Sequence, residues 1–175
     1  KAEDGIRGLV RSRGLGDVYK RQIHDSNGPA LAAMFGAVPW IDLQTFTHAD
    51  DDLAAISTAM RSALDACDAV IVSGGVSMGD YDYVPAAVAE AGGRIVFHRL
   101  LIRPGKPMLG AVGPRGQAIL GLPGNPVSVL VTARRFGALV LRKLAGFTEI
   151  REPPTAVRIE HEYESLPGMW LYRPV

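Results

Sequence analysis

The segment 73–82, with the sequence SGGVSMGDYD, carries the first group of residues whose types and spacing could do chemistry. The adjacent Gly74 and Gly75 allow the backbone to approach a ligand closely, and free amides at the start of a following helix can hold a phosphate or another oxyanion. Ser77 adds a hydroxyl, and Asp82 adds a carboxylate that could hold Mg²⁺ near a phosphate. The alternative is a tight turn between a strand and a helix in which Asp82 is only the N-cap, and spacing alone leaves both interpretations open.

Two later loops could contribute to the same site. The segment 103–107, RPGKP, places Arg103 and Lys106 in a turn stiffened by prolines, so less freedom is lost when an anion binds. Arg99 would extend this positive charge, whereas the alternative is a pair of solvated charges on a hairpin. The segment 122–126, LPGNP, joins a strand to a capped helix, and a well-marked helix start is enough to explain it. Only the combination of the three loops indicates a ligand site.

The elements that must position these loops follow an α/β pattern. From Ile23 onward, apolar runs of strand length alternate with segments of helical periodicity, which predicts a mostly parallel sheet. Since ligands bind at the carboxyl ends of parallel strands, we expect the three loops to converge at that edge. The predicted strands cover residues 38–43, 69–72, 94–98, 108–112 and 118–120. The predicted helices start after Ser26 or Asn27, after the acids 50–52, at Tyr83 and after Asn125; the last has a buried stripe of Val129, Ala133, Phe136, Val140 and Leu144 and closes at Gly146.

Composition and charge exclude several classes of protein. In 175 residues, a hydrophobic content of 47% and a net charge of +1 are typical of a globular domain and argue against nucleic-acid or membrane-surface binding through bulk charge. Cys67 is the only cysteine, which excludes an internal disulfide and a cysteine-based metal site and makes a reducing, cytoplasmic compartment the expectation. The histidines have no metal-ligand spacing and are interpreted as structural or solvated; they are His24, His48, His98 and His161.

Residues 1–22 differ in composition from the rest of the chain. They carry six basic and three acidic residues, whereas the remainder has an excess of acids. A targeting arm fits poorly because of those acids and the scattered glycines. A solvated tail is one interpretation. The other, which we favour, is that DVYKRQ at 17–22 is the translation of a transposon-end sequencing adapter and that the protein begins near Ile23.

Four segments, taken in order, resemble the molybdopterin molybdenumtransferase family: HDSN at 24–27, SGGVSMGDYDYV at 73–84, RPGKP at 103–107 and GLPGNPVSVLVT at 121–132. The resemblance implies a three-layer α/β/α domain with a mostly parallel sheet. It also implies insertion of molybdate into adenylylated molybdopterin, with Mg²⁺-dependent release of AMP. The related molybdopterin adenylyltransferases share this fold, but they usually have a Gly-Gly-Thr-Gly turn, so GVSMG at 75–79 favours the insertase.

The resemblance further implies site residues. Asp82 and Asp51 match the catalytic acids, with Asp82 as the metal ligand, although Asp50 or Asp52 takes the second position if the alignment shifts. Arg99 and Arg103 stand where the family commonly has lysines, so a planar guanidinium replaces a point charge. The implied ligand-binding residues are Asp25, Ser26, Asn27, Ser73, Gly74, Gly75, Val76, Ser77, Gly79, Asp80, Arg99, Arg103, Lys106, Pro123, Gly124, Asn125 and Pro126.

The resemblance also suggests a domain organisation. It divides the chain into a non-matching segment at 1–22, a molybdopterin-binding α/β domain at 23–148, and a linker with the truncated start of a C-terminal β-domain at 149–175. The strand and acidic loop that the family has before Asp25 are not recognisable, so we expect an insertase fragment without turnover of its own and with a gap in its sheet. Full-length members are expected to be homodimers that act on small molecules, with no nucleic-acid or membrane partner. The alternatives are an adenylyltransferase-like enzyme and a non-catalytic binding or scaffold module on the same fold.

Overall fold

A central sheet with flanking helices makes up most of the part of the chain that the structure describes. This computed structural model describes residues 6–12, 25–44, 49–77, 82–150, 156, 158 and 167–172, with the backbone alone for residues 6–12. Its strands are β1 (Ile6–Ser12), β2 (Ile41–Gln44), β3 (Ala69–Ser73), β4 (Arg94–His98), β5 (Ile102–Arg103), β6 (Leu109–Val112), β7 (Ala118–Leu122) and β8 (Trp170–Leu171). Its helices are α1 (Asn27–Gly36), α2 (Leu53–Ala66), α3 (Val84–Glu90), α4 (Pro126–Thr132) and α5 (Ala138–Leu144), with a π-helical turn at Ala133–Gly137 between the last two.

The main sheet is mostly parallel. Six of the described strands pair in the order β2-β1-β3-β7-β6-β4. The pairs among β2, β1, β3 and β7 are parallel, whereas β6 runs antiparallel to both of its neighbours, β7 and β4. The prediction of a mostly parallel α/β sheet is therefore confirmed.

Two hydrophobic cores lie on opposite faces of this sheet. Successive side chains of a strand point to opposite faces, and β3 shows the division. Its Ala69 and Ile71 belong to the core that contains α1, α4 and α5, while Val70 and Val72 belong to the core that contains α2 and α3. The three-layer α/β/α architecture that the resemblance implies is thus the observed one.

Two of the helices, α2 and α4, begin at capping residues that the sequence predicts. Asn125 is the N-cap of α4, and its side-chain oxygen accepts a hydrogen bond from Ser128 N at 3.2 Å. Asp52 is the N-cap of α2, and its carboxylate accepts a hydrogen bond from Ala55 N at 2.9 Å. Both side chains satisfy an amide that has no partner within the helix. Among the described residues, no helix has the length and apolar character needed to cross a membrane.

Strand boundaries differ from the predicted ones by a few residues. β2 begins at Ile41 rather than Val38, because Pro39 has no amide hydrogen to donate to a strand partner. β7 extends two residues further than predicted, to Leu122. Its last residue therefore lies opposite the last residue of β3, Ser73.

Residues 6–12 form a strand that the sequence analysis did not predict. β1 lies between β2 and β3 and pairs in parallel with both, with Ser12 opposite Ser73. The expectation of a gap in the sheet is wrong at this position, because β1 fills it. The sequence IRGLVRS contains two arginines among its apolar residues, and this charge obscured the strand pattern. The interpretation of residues 17–22 as a translated sequencing adapter stays a prediction.

The last helix changes its buried face halfway along. A π-helical turn at Ala133–Gly137 has i→i+5 hydrogen bonds, so the buried positions beyond it shift by about one residue. Leu141 is 2% exposed, whereas Leu144 is 40% exposed. The predicted buried stripe is therefore right at Val129 and Ala133 and wrong at Leu144.

A second sheet pairs β5 with β8 in parallel. Trp170 N donates to Leu101 O at 2.9 Å, and Tyr172 N donates to Arg103 O at 2.8 Å. The guanidinium of Arg135 also lies over the Tyr172 ring, with its Cζ atom 5.1 Å from the ring centroid. The linker and the start of a C-terminal β-domain at 149–175 stay a prediction, because residues 151–155, 157, 159–166 and 173–175 lie outside the described residues.

Candidate functional site

The carboxyl ends of β1, β3 and β7 lie side by side, at what we call the carboxyl edge. Ser12 is the register partner of Ser73, and Ser73 is the register partner of Leu122. The segments that follow Ser73 and Leu122 therefore leave the sheet next to each other. The predicted convergence of the first and third loops is confirmed.

The glycine-rich loop begins directly after β3. Gly74 and Gly75 have φ values of 85° and 67°, in the left-handed region that favours glycine. Gly74 N donates to Leu122 O at 3.0 Å, and Val84 N donates to Gly75 O at 3.1 Å. The loop is thus attached to the end of β7 on one side and to the first residue of α3 on the other.

The rest of this loop is held by a residue that the sequence analysis did not assign to the site. Val76 is buried and Ser77 is exposed, while the predicted ligand-binding residues Gly79 and Asp80 lie outside the described residues. His98 Nε2 lies 2.7 Å from Val76 O, and a carbonyl only accepts, so Nε2 donates this bond. His98 ends β4, whose carboxyl end lies at the same edge. The position of His98 at the end of a predicted strand was the one sequence feature that could have placed it near the site.

Asn27 connects the first and third loops through its side-chain amide. Its Nδ2 donates to Ser73 Oγ at 2.8 Å and to Gly124 O at 2.9 Å. Ser73 Oγ donates in turn to Pro123 O at 3.4 Å. The motifs of residues 24–27, 73–84 and 121–132, which are far apart in the chain, therefore meet at one point.

The third loop presents most of its residues to solvent. Pro123 is buried, whereas Gly124, Asn125 and Pro126 are exposed. A Cβ on Gly124 would lie 3.7 Å from Gly74 Cα, which is ordinary van der Waals contact. The exposed third loop therefore lies directly against the buried first glycine of the glycine-rich loop.

Asp25 has a structural role at the start of α1. Its Oδ1 accepts hydrogen bonds from Asn27 N at 3.0 Å and from Gly28 N at 3.1 Å. Ser26 occupies the N-cap position but makes no side-chain cap hydrogen bond. The prediction that a helix starts after Ser26 is confirmed, but the side chain that binds its first amides is that of Asp25 rather than that of Ser26.

A small cleft lies at the carboxyl edge, and two acidic residues each stand two positions along the chain from a residue that lines it. Ala49, Val84 and the two glycines of the loop are among the residues that line it. Asp51 follows Ala49 by two residues and is exposed, and Asp82 precedes Val84 by two residues and is half-buried. Of the acids at 50–52, Asp52 is used as the α2 N-cap. Asp51 and Asp50 both stay candidates for the second acidic site residue.

The segment that carries the predicted cationic residues leaves the main sheet at the same edge, after β4. Arg99 follows β4 directly and has φ 73°, which is uncommon for a residue other than glycine. Lys106 O accepts a hydrogen bond from Leu100 N at 2.8 Å, which closes the loop. Arg103 belongs to β5, which pairs with β8 rather than with the main sheet. All three cationic side chains are exposed.

The resemblance implies a bound Mg²⁺ ion, for which Asp82 is the predicted ligand. Among the described residues, no group of three or more His, Cys, Asp and Glu side chains is placed to hold a metal ion. Mg²⁺ is usually held by one or two carboxylates together with substrate phosphates. A single carboxylate such as that of Asp82 is therefore compatible with an ion that takes its other ligands from a phosphate.

Comparisons with known proteins agree on one family. Residues 15–143 match the family described as "Probable molybdopterin binding domain". The molybdopterin molybdenumtransferase of Nostoc sp. is 44% identical over 137 residues, which cover 75% of this chain and 30% of that protein. The protein of the same name from Synechococcus elongatus is 38% identical over 136 residues, which cover 75% of this chain and 32% of that protein. The chain thus spans less than a third of the length of these relatives.

A solved structure shows the same fold. The crystal structure of the molybdopterin biosynthesis MoeA protein from Pyrococcus horikoshii is similar with a TM-score of 0.68 and 28% sequence identity. The similarity covers 81% of this chain and 36% of that chain. It therefore extends over the described α/β domain and not over the whole of the larger protein.

Proposed function

Because the chain belongs to the family described as the probable molybdopterin binding domain, as its motifs predict, we propose that its carboxyl edge binds adenylylated molybdopterin for the insertion of molybdate. One observation carries this proposal: Asn27 joins the first and third loops by hydrogen bonds to Ser73 Oγ and Gly124 O. The names of the relatives, molybdopterin molybdenumtransferases, support a role in molybdenum cofactor biosynthesis.

The phosphate of the ligand would lie against the glycine-rich loop. Gly74 and Gly75 have no side chains, so the loop allows the close backbone approach that phosphates need. The Ser77 hydroxyl is exposed next to them and adds a donor. Asn125 and Pro126 extend the same surface on the side of the third loop.

The exposed cations would bind the oxyanions. Arg99, Arg103 and Lys106 are the cationic residues of the loop that follows β4. A guanidinium can donate two parallel hydrogen bonds to an oxyanion, whereas an ammonium acts as a point charge. Molybdate and the ligand phosphate, both anions, are the groups that this arrangement favours.

Asp82 would hold the Mg²⁺ ion, with Asp51 as the second acidic residue. When bound, Mg²⁺ would neutralise charge on the phosphate as AMP leaves. Asp82 follows the glycine-rich loop in the chain and is half-buried, which supports this proposal. The partner of the site is a small molecule, and we propose that the longer proteins of the family act as homodimers.

Binding of adenylylated molybdopterin to the chain tests the proposal. Isothermal titration should show saturable binding that weakens as salt is added, because oxyanions are bound by charged groups. Molybdopterin without the adenylyl group should bind more weakly. The absence of saturable binding would contradict the proposal.

A second titration separates insertion from adenylyl transfer. An adenylyltransferase-like enzyme has to bind ATP together with molybdopterin, so these two ligands are titrated alone and in combination. The proposal expects adenylylated molybdopterin to bind more tightly than that combination. The opposite order, with AMP transfer from ATP, would replace insertion by adenylyl transfer.

A further inference from the structure

We infer that Asn27 is a positioning residue: its buried amide holds the loop after β3 against the loop after β7, so that both can act on one ligand. The consequence for ligand binding rests on the proposed function, whereas the contact itself does not. Asn27 is the first residue of α1 and is only 6% exposed. Its position differs from that of the exposed residues of the third loop, which a ligand can reach directly.

Both hydrogens of the Asn27 amide are already used. One is donated to Ser73 Oγ at 2.8 Å and the other to Gly124 O at 2.9 Å. Ser73 Oγ passes the connection on to Pro123 O at 3.4 Å. An amide has no further donor, so Asn27 acts on a ligand through these loops and not by donating to it.

The side-chain oxygen of Asn27, Oδ1, also supports a positioning role. Asn27 Oδ1 is buried and has no hydrogen-bond partner in the described structure. Leaving a buried acceptor unpaired is unfavourable. The orientation of the Asn27 amide therefore satisfies both hydrogens of Nδ2 and leaves Oδ1 without a partner. An aspartate of the same shape would lose both donors and bring a negative charge close to Gly124 O.

The hydrogen bonds of Asn27 reinforce a direct link between the loops. Gly74 N donates to Leu122 O at 3.0 Å, and this bond joins the first residue after β3 to the last residue of β7. Ser73 and Leu122 are register partners, so a loss of the amide bonds allows the two strand ends to separate beyond this point. The exchange rate of the Gly74 amide hydrogen therefore reports on the contact.

Gln117 supplies a matched control at the opposite edge of the sheet. It is also 6% exposed, and its Nε2 donates to the backbone oxygen of Leu64 at 2.7 Å. Gln117 immediately precedes β7, so it lies at the start of the strand whose far end Asn27 contacts. Asn27→Asp and Gln117→Glu therefore make the same chemical change to a buried amide, one near the ligand loops and one far from them.

Hydrogen exchange measured by NMR on the full chain tests the contact without any ligand. We expect Asn27→Asp to speed exchange at Gly74 by about tenfold or more, and Gln117→Glu to change it by less than about twofold. Ser73→Ala removes the middle group with a smaller change in structure and should also speed exchange at Gly74, which covers the case that Asn27→Asp does not fold. Unchanged exchange at Gly74, or equal effects of the two amide variants, would overturn the inference.

Titration with adenylylated molybdopterin then tests the consequence. Asn27→Asp should weaken binding by about tenfold, Gln117→Glu should leave it within about twofold, and Asn27→Asp combined with Ser73→Ala should bind about as weakly as Asn27→Asp alone. Losses that add in the double variant would show an independent ligand contact and overturn the positioning role. If the parent chain does not bind, the proposed function fails, and the exchange measurement still decides whether Asn27 holds the loops.

Discussion

Asp82 lies two residues before Val84, which lines the small cleft beside the glycine-rich loop. Asp82→Asn keeps the shape of the side chain and removes the charge proposed to hold Mg²⁺. We expect Mg²⁺ to tighten binding of adenylylated molybdopterin to the parent chain, and Asp82→Asn to reduce that gain by about tenfold while changing Mg²⁺-free binding by less than about twofold. Titration with and without Mg²⁺ measures both.

The control for this prediction is Asp65→Asn. Asp65 is exposed and lies 3.4 Å from Arg115 in an ion pair away from the carboxyl edge. This variant should respond to Mg²⁺ as the parent does. If Asp82→Asn weakens binding equally with and without Mg²⁺, Asp82 is a structural residue.

Arg103 and Lys106 are exposed, so their replacement should leave the fold intact. We expect Arg103→Ala with Lys106→Ala to weaken binding of adenylylated molybdopterin by about tenfold and to reduce its salt dependence, because charge-assisted hydrogen bonds are lost. The matched control is Arg94→Ala with Lys143→Ala, which removes two exposed charges elsewhere. Titration at two salt concentrations compares them, and unchanged binding in the first variant excludes this loop from the site.

At the residue scale, the sequence predicted where the loops lie better than it predicted which hydrogen bonds their side chains make. The pattern of segment 122–126 predicted Asn125 as a helix cap, and this is confirmed. The motifs did not predict that Asp25 Oδ1 accepts hydrogen bonds from the amides that start α1, and the role of Asp25 toward a ligand stays a prediction. Side-chain hydrogen bonds depend on small differences in backbone direction, and residue types alone do not specify them.

At the element scale, the π-helical turn leads us to predict that two leucines after it contribute differently to stability. Leu141 is 2% exposed and belongs to the core on the α1 face, whereas Leu144 is 40% exposed. Leu141→Ala should lower the free energy of unfolding by about 2–5 kcal/mol, while Leu144→Ala should change it by less than about 1 kcal/mol. Chemical denaturation of the two variants measures this difference. Equal losses would mean that the helix keeps the regular phase through residue 144.

The phase shift itself could not be predicted from sequence. Val129, Ala133, Phe136 and Val140 fit a regular period of 3.6, so nothing in the pattern marks the extra residue. The ends of the same helix were predicted correctly, because Asn125 and Gly146 are local signals. Gly146 has φ 83°, and Phe147 N donates to Arg142 O at 3.1 Å across it, as expected of a glycine that ends a helix.

At the scale of the whole molecule, the alternation of strand-length and helix-length segments was the sequence feature that predicted most of the fold. It led to a mostly parallel sheet and to a meeting of the first and third loops at the carboxyl edge, and both are observed. The convergence of the second loop, at 103–107, with these two stays a prediction. The antiparallel direction of β6 was not predicted, because apolar runs carry no sign of strand direction. β1 was missed because its pattern is interrupted by charge, and the pairing with β2 and β3 that defines it is not local.

The position of β1 leads to a prediction about the stability of the whole domain. It pairs with β2 over four residues, from Ile6 opposite Ile41, and with β3 over five residues, from Gly8 opposite Ala69. Removing residues 1–22 therefore leaves β2 without its only partner in the described sheet and exposes the edge of β3. Unpaired edges promote association between chains.

We expect the shortened chain that starts at Ile23 to aggregate or to unfold without a cooperative transition, because a domain is stable by only about 5–15 kcal/mol in total. Thermal unfolding followed by circular dichroism and gel filtration would compare it with the full chain. Removing residues 1–5 alone keeps the strand and should preserve cooperative unfolding. Leu9→Pro interrupts hydrogen bonding inside β1 and should reproduce the defect of the shortened chain with no change in length. If the shortened chain elutes as a monomer and unfolds at the temperature of the full chain, β1 does not contribute to the stability of the sheet, and the adapter interpretation of residues 17–22 gains support.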